Sequence, residues 1–341
     1  MHKNSFLTQE AGPSGFQWWY FDAEFTNGYS TTLVILPYSI GSISGLTMNV
    51  QDPCVLVAIT TPEGETYTAR QSYSFSDLSA STSYLDAHLG ENSVAFDGKT
   101  YRLKFAEGDL KASLDITPTL PAWSPLGVNS DSRLDGSVME IFGLDPNYFF
   151  DYLECMPRGI AKGYLVINNQ KLDVEGIGYH EQGYGNFYLC EMIESWFWTK
   201  YYFEDYTLVF AGIRNETLLD GFEISGLMLA QKDSIIKSYM TMSGSEISIK
   251  NEAYKTHEET GESFPSRLQF NIDIDNLKMT GQINYLFLRD SWGFNYPEDK
   301  CNPIHKPTWL QYTSETEFEM ELNGLAKSIN TRGVYECMIS G

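Results

Sequence analysis

The pattern of hydrophobic and polar positions predicts β-strands throughout the chain. The clearest example is Arg267 to Asp275, where Leu268, Phe270, Ile272 and Ile274 alternate with polar residues. A period of two gives a strand one buried and one solvated face. No long stretch has the apolar spacing of an amphipathic helix, so we expect an all-β chain of sandwich or barrel architecture.

Other short apolar segments, separated by turn signals such as Asn27-Gly28, extend this prediction. The further predicted strands are Gln17 to Phe25, Ser30 to Leu36, Val55 to Thr60, Tyr101 to Phe105, Leu110 to Ile116, Ser137 to Phe142, Gly159 to Ile167, Leu172 to Gly178, Tyr206 to Ile213, Leu277 to Asp290, Thr316 to Leu322 and Gly333 to Ser340.

A faint internal repeat indicates how the 341 residues are divided. Trp18 and Trp196 each open an aromatic strand, and Phe25 and Phe203 end these strands at the same spacing of 178 residues. A chain of this length fits one large or two medium domains. The repeat favours two related β-domains, which we place at residues 1–187 and 188–341.

Charge and cysteine content exclude several classes of partner and site. The net charge is −22, which disfavours nucleic acid and anionic lipid as partners. No apolar run approaches the length of a membrane-spanning helix, and no secretory signal is recognised, so no membrane insertion is expected. The five cysteines are scattered, which predicts reduced thiols in a cytoplasmic setting and no zinc site.

The segment Gly176 to Asn186, G-I-G-Y-H-E-Q-G-Y-G-N, concentrates the side chains best suited to chemistry. His180 and Glu181 are candidates for proton transfer, with Tyr184 as a further polar anchor. Adjacent strand residues point to opposite faces, so the pair can meet one cavity only if a bulge re-aims one of them. The alternative is a structural network. No histidine spacing suits a metal, and none is predicted.

Aromatic residues form the second candidate group. Alternation places Trp18 and Tyr20 on one strand face, and Trp196, Trp198 and Lys200 on another. Such rings, with Trp309 added, are either core residues or the walls of a cavity for a large apolar ligand. Lys200 is either solvated or placed to polarise a carbonyl. Nucleotide-binding and nucleophile-elbow motifs are absent, and no cofactor is predicted.

Four segments in order resemble the carotenoid 1,2-hydratase (hydroxyneurosporene synthase)/AttH-like superfamily. They are W-W-Y-F-D-A-E-F near the N-terminus, G-Y-H-E-Q-G-Y-G-N centrally, S-W-F-W-T-K after it and R-G-V-Y-E-C at the end. Within that superfamily the chain is most similar to the lipocalin-like Diels–Alderases that form decalins in fungal polyketide pathways.

The resemblance implies two lipocalin-like domains with a ligand pocket between or within them, and cofactor-free work on a polyene or isoprenoid. The family motif commonly reads G-Y-H-D-H-x-W-G, so His180 matches its first histidine and Glu181 its acid. Gln182 replaces the second histidine and Tyr184 the tryptophan. In the following W-x-W-G pattern, Thr199 stands in place of glycine.

Three functions are therefore weighed. The first is a pericyclase of the intramolecular Diels–Alderase type, which holds a linear polyene in its reactive conformation. Its walls would be Trp18, Tyr20, Trp196, Trp198 and Trp309. The second is an isoprenoid hydratase or cation-type cyclase, in which Glu181 protonates an alkene. The third is a carrier of hydrophobic small molecules. A monomer or homodimer is expected.

Overall fold

A computed structural model describes residues 15–44, 46–49, 52–125, 133–136, 139–140, 145–191, 193–215, 222–241, 245–257, 261, 263–296 and 308–339. Its strands are β1 (Phe16–Phe25), β2 (Ser30–Tyr38), β3 (Ser42–Ile43), β4 (Cys54–Thr60), β5 (Thr66–Ser72), β6 (Leu78–Ala80), β7 (Asp86–Leu89), β8 (Asn92–Phe96), β9 (Tyr101–Glu107), β10 (Leu110–Pro118), β11 (Arg133–Asp135), β12 (Phe149–Ile167), β13 (Gln170–Gly185), β14 (Ser195–Phe203), β15 (Tyr206–Asn215), β16 (Phe222–Gln231), β17 (Ser234–Thr241), β18 (Ile247–Thr256), β19 (Ser263–Ile274), β20 (Leu277–Asn295), β21 (Thr308–Leu322) and β22 (Leu325–Ile339). Short 3-10 helices cover Phe75–Asp77 and Leu189–Glu191.

The strands form two large antiparallel sheets, which confirms the all-β, lipocalin-like fold. The first runs β5-β4-β2-β1-β13-β12-β10-β9-β8-β7-β6, with β11 paired to β12. The second runs β17-β16-β15-β14-β22-β21-β20-β19-β18, with β3 paired to the end of β20.

By internal contacts the chain divides into two units. Unit 1 contains Met1–Met192 and Phe294–Asn302, and unit 2 contains Ile193–Gly293 and Pro303–Gly341. In unit 1, strand β1 lies between β2 and β13, and in unit 2, β14 lies between β15 and β22. The opening aromatic strand of each unit thus pairs with the next strand and with the second strand of a long hairpin. The boundary between residues 187 and 188 stays a prediction.

Each unit has its own hydrophobic core on one side of its sheet. The unit 1 core includes Trp19, Phe21 and Ala23, the odd-numbered positions of β1. In unit 2, the alternation predicted along β19 is confirmed, because Leu268, Phe270, Ile272 and Ile274 are all buried in one core cluster. The even-numbered positions of β1 and β14 consequently lie on the opposite, outer faces of their sheets.

Three local predictions need correction. A strand over 137–142 is wrong at Met139 and Glu140, which are helical, and the rest of that range lies outside the described residues. Strand β12 begins at Phe149, ten residues before the predicted start at Gly159. The central motif is the last part of β13, which extends to Gly185. Long hairpin pairing overrides the local glycines, whose weak strand propensity suggested an earlier end.

The expectation of reduced thiols is wrong for Cys190, which is disulfide-bonded. Cys54, Cys155 and Cys337 are free and buried. Since disulfides persist mainly in oxidising compartments, the thiol argument for a cytoplasmic setting no longer stands. In the part of the chain that the structure describes, no helix has the length and apolar character needed to cross a membrane.

Candidate functional site

Two groups of polar and aromatic side chains lie on the outer sheet faces, opposite the hydrophobic cores. The first, termed the Glu181 cluster, contains Trp18, Tyr20, Asp22, Tyr152, Glu154, Tyr179 and Glu181 in unit 1. The second, termed the Lys200 face, contains Trp196, Trp198, Lys200, Trp309, Gln311 and Glu336 in unit 2.

The half-buried carboxyl group of Glu181 accepts three hydrogen bonds from aromatic side chains. The indole Nε1 of Trp18 donates to Oε1 at 3.2 Å. The phenol of Tyr179 donates to Oε2 at 2.6 Å, and the phenol of Tyr152 donates to the same oxygen. The two phenol oxygens are themselves 3.3 Å apart. One carboxyl group is therefore fixed by donors from three different strands.

The position of the Trp18 indole depends on a glycine of the central motif. Trp18 pairs with Gly183 across β1 and β13, and a Cβ atom at Gly183 would overlap the indole ring. The ring therefore lies across the strand at Gly183 and reaches Glu181, two residues earlier on β13. Phe16 stacks on the same ring at a centroid distance of 5.6 Å.

Burial and hydrogen bonding act on Glu181 in opposite directions. Removal from water raises the pKa of its carboxyl group, whereas the donors from Tyr152, Tyr179 and Trp18 lower it, and the net direction is upward. Burial also raises the pKa of Tyr152 and Tyr179 well above the usual value, with further raising from the neighbouring carboxylates. Both phenols consequently stay protonated and act as permanent donors.

Buried carboxyl groups surround these phenols. Tyr20 donates its phenol proton to Asp22 at 2.8 Å, and its ring meets Tyr179 edge-on at 6.1 Å. Glu154 is fully buried, and its charge contributes to the raised pKa of Tyr179. Tyr20, predicted as a wall, is thus also part of a hydrogen-bonded network.

His180 lies on the side of β13 opposite Glu181, and its role in proton transfer stays a prediction. Strand β13 keeps a continuous register with β1 from Gly176 to Gly185, so no bulge re-aims either side chain. The His180 ring is fully buried and stacks on Phe21 at 3.9 Å. Its Nδ1–H donates to the carbonyl of Tyr20 at 2.9 Å. Burial lowers the pKa of His180 to about 3, so the ring is neutral.

Tyr184 also lies apart from the Glu181 cluster, on the His180 side of β13 by strand alternation. Its phenol donates to Asp151 at 2.8 Å, and its ring meets Phe149 edge-on at 5.8 Å. The side chains of Tyr184 and Glu181 leave the strand in opposite directions, and the polar anchor role of Tyr184 stays a prediction.

The Lys200 face brings together four of the predicted residues, Trp196, Trp198, Lys200 and Trp309. Lys200 is fully buried, and its Nζ lies 5.8 Å from the ring centroid of Trp198 and 5.1 Å from that of Tyr202. Both distances are within the range of cation–π attraction. The neighbouring outer positions of β15, β16 and β22 are apolar: Val209, Ala211, Met228, Val334 and Met338.

The polar groups nearest to these rings come from the last two strands. Trp196 donates its indole N–H to Oε1 of Glu336 at 3.0 Å, and Gln311 donates to Oε2 at 3.4 Å. Trp309 pairs with Met338 on the same face, and its ring stacks on Trp292 at 3.7 Å. An apolar surface with a few placed polar groups is the usual composition of a small-molecule site.

The folds of solved structures support the resemblance seen in the sequence. The chain matches an AttH-like protein from Nitrosomonas europaea with a TM-score of 0.67 and 14% identity, covering 98% of this chain and 97% of that one. It matches CghA, solved with Sch210972, with a TM-score of 0.63 and 10% identity, covering 100% and 95%. It matches kievitone hydratase from Nectria haematococca with a TM-score of 0.63 and 11% identity, covering 100% and 97%.

The chain has the AttH-like fold. No protein-family model and no curated protein matches the sequence. At these identities the likeness concerns the fold alone, so the chemistry of this chain has to be argued from its own side chains.

Several residues of the two groups were missed by sequence reasoning. Tyr152 and Glu154 lie in the early part of β12, which carried no clear alternation. Gln311 lies in a part of β21 for which no strand was predicted. Glu336 had a usable signal, since it lies between the buried Tyr335 and Cys337 in a predicted strand.

Proposed function

We propose that the protein is a cofactor-independent cyclase of the pericyclase type, which converts a linear polyene with a carbonyl-bearing head into a cyclic isomer. The observation that carries this proposal is the fully buried Lys200 ammonium beside the Trp198 and Tyr202 rings, on an otherwise largely apolar sheet face. That composition suits a ligand with a long apolar chain and one hydrogen-bond acceptor.

In this mechanism the apolar face binds the polyene with diene and dienophile in one near-attack geometry, which removes most of the entropic barrier. Trp196, Trp198 and Trp309 supply the rings that restrict the chain. Lys200 donates a hydrogen bond to the carbonyl conjugated with the dienophile. That bond strengthens as electron density moves toward the oxygen in the transition state. Bonds are only redistributed, so substrate and product have the same mass.

A second function, addition of water to an alkene, is favoured by the Glu181 cluster. A half-buried carboxyl group whose pKa is raised by burial holds its proton more tightly than an exposed glutamate, which suits a general acid. Glu181 would give its proton to an alkene carbon, water would add to the resulting cation, and the water proton would return to the carboxylate. Kievitone hydratase, a protein of similar fold, is by its name a hydratase, which supports this second function.

The test is incubation of the purified protein with linear polyenes of graded length and head group, followed by mass and retention analysis. An isomer of unchanged mass, lost in Lys200→Met and kept in Glu181→Gln, supports the cyclase. A product heavier by one water, lost in Glu181→Gln, replaces it with the hydratase. Substrate that is bound but recovered unchanged identifies a carrier. Lys162→Met is the matched control, since it removes only an exposed lysine paired with Glu175.

A further inference from the structure

Both acceptor positions of one Glu181 oxygen are filled by phenols. A carboxylate oxygen has two lone pairs, and Oε2 accepts from Tyr152 and from Tyr179. Oε1 accepts from the Trp18 indole, which leaves it one lone pair. The two phenols keep their own protons, because both have a strongly raised pKa. Among the contacts of the residues that the structure describes, a proton that binds to Glu181 therefore has one open position, on Oε1.

We propose that Tyr152 and Tyr179 are positioning residues that confine the transferable proton of Glu181 to Oε1, beside the Trp18 indole. The position of the proton does not depend on which reaction the protein catalyses. Its use in catalysis rests on the proposed function in which Glu181 acts as a general acid. A substrate alkene that takes this proton has to approach from the Oε1 side, where the Trp18 ring lies across Gly183.

The proton transfer balances without any further reactant. The alkene π electrons form the new C–H bond, and the electron pair of the Oε1–H bond stays on the carboxylate. The two phenols and the indole then all donate to a full negative charge, which strengthens each hydrogen bond. The water that adds to the cation returns one proton to Oε1 and restores the acid.

The groups that face Glu181 within unit 1 determine the direction in which its pKa is shifted. They are Trp18, Tyr20 and Asp22 on β1, Tyr152 and Glu154 on β12 and Tyr179 on β13. Burial and the Asp22 charge raise the pKa of Glu181, and the two phenols and the indole lower it. Removal of either phenol therefore raises this pKa further, by about one pH unit for a lost hydrogen bond to a charged oxygen.

Unit 2 provides an internal comparison for this arrangement. Trp196 donates to Glu336 as Trp18 donates to Glu181, in each case to a carboxyl group on the outer face two residues before its own cross-strand partner. The amide of Gln311 also donates to Glu336, and the outer residue two positions before Glu336 is Val334. Unit 2 therefore has an aliphatic residue, Val334, at the position where unit 1 has the Tyr179 phenol.

The first experiment titrates Glu181 directly. In protein carrying [13C]carboxyl-labelled glutamate, the Glu181 resonance is identified by its loss in Glu181→Gln and followed against pH. We expect Tyr152→Phe and Tyr179→Phe each to raise its midpoint by about one pH unit. Tyr184→Phe is the matched control, because it removes a phenol donor from Asp151 on the other side of the strand. Unshifted midpoints in folded Tyr152→Phe and Tyr179→Phe overturn the proposal.

The second experiment locates the proton by infrared difference spectroscopy of the protonated carboxyl group. If Oε1 carries the proton, Oε2 is the carbonyl oxygen, and its stretch rises in frequency when either phenol is removed. If the stretch responds to Trp18→Phe and not to the tyrosine variants, the proton is on Oε2 and the assignment is wrong. Neither readout depends on turnover. If the midpoint of Glu181 shifts as expected but the protein converts no polyene, the proposed function is refuted and the proposal about Tyr152 and Tyr179 stands.

Discussion

The outer faces of β1 in unit 1 and β14 in unit 2 carry the same arrangement with different chemistry. At the 178-residue offset, Trp18 corresponds to Trp196, Tyr20 to Trp198 and Asp22 to Lys200. In both units the first tryptophan donates to a glutamate on the adjacent hairpin strand. Unit 1 surrounds that carboxyl group with phenols and acids, whereas unit 2 presents rings, aliphatic side chains and a buried ammonium.

This difference indicates how one scaffold can carry two kinds of site. Each outer face has a tryptophan hydrogen-bonded to a glutamate. The residue four positions after the tryptophan is acidic in unit 1 (Asp22) and basic in unit 2 (Lys200). In the proposed cyclase the unit 2 pattern recognises a carbonyl-bearing apolar ligand, whereas in the hydratase alternative the unit 1 pattern transfers the proton. Four predictions test this comparison between the two units, and they are given from the largest expected effect to the smallest.

The largest effect is on acid stability and concerns His180, the core-side neighbour of Glu181. An unfolded histidine has a pKa near 6.5, while burial lowers that of folded His180 to about 3. The unfolded chain therefore binds a proton that the folded chain does not. This contribution is fully present above pH 6.5 and is lost as pH falls, by about 3 kcal/mol at pH 4.5 and about 4 kcal/mol at pH 3.

His180→Phe keeps an aromatic ring stacked on Phe21. Unit 2 already has an aromatic residue at the equivalent position, since Tyr335 precedes Glu336 and stacks on Tyr312. Urea unfolding at pH 7 and pH 4.5 should show that the variant loses less stability on acidification than the wild type. If both proteins lose the same unfolding free energy between pH 7 and pH 4.5, the pKa of His180 is not lowered by burial, and His180 can act as a proton donor.

The second effect is on turnover and concerns Lys200. Lys200→Met keeps the side-chain length and removes the ammonium, so it should lower the rate of isomer formation by about 100-fold, the usual effect of losing one transition-state donor. The Lys162→Met control should remain at the wild-type rate. Isomer formation that is unaffected by Lys200→Met would show that the unit 2 face does not carry the chemistry.

The third effect is on packing at Gly183. Unit 2 has Met338 at the equivalent place opposite its tryptophan, whereas unit 1 requires a glycine because the Trp18 ring occupies the Cβ position. Gly183→Ala should cost about 1–3 kcal/mol of unfolding free energy through this overlap. A double-mutant cycle with Trp18→Phe measures the coupling. A purely additive result would mean that the indole is not what excludes the side chain.

The smallest effect is expected for Glu336→Gln. The substituted amide still offers a carbonyl oxygen to the Trp196 indole and to Gln311, so unfolding free energy should change by less than about 1 kcal/mol. Isomer formation should change by no more than about threefold. A loss as large as that in Lys200→Met would make Glu336 a functional carboxylate and would remove the contrast with Glu181.

Much of the fold could be predicted because strand alternation is a local property. The pattern at Leu268, Phe270, Ile272 and Ile274 directly reports a face that packs against a core. The same rule separates His180 from Glu181, and the hypothesis of a bulge failed because the long pairing with β1 keeps its register through the glycines.

The hydrogen-bond partners of the site could not be predicted in the same way. Tyr152 reaches Glu181 only through the pairing of β12 with β13, where the register shifts between Leu153 and Met156. Such a shift depends on long-range pairing and has no local sequence signature. The burial of Lys200 could not be predicted either, because a lysine at that position is compatible with a solvated or a covered sheet face.

The central claim is that the unit 2 face converts a polyene with the help of Lys200. The most direct test is the mass of the product formed from a linear polyene by wild-type protein and by Lys200→Met, without added cofactor. We predict a new compound of unchanged mass that forms about 100-fold more slowly in the variant. A product heavier by one water, or an isomer that forms equally fast in both proteins, would contradict this claim.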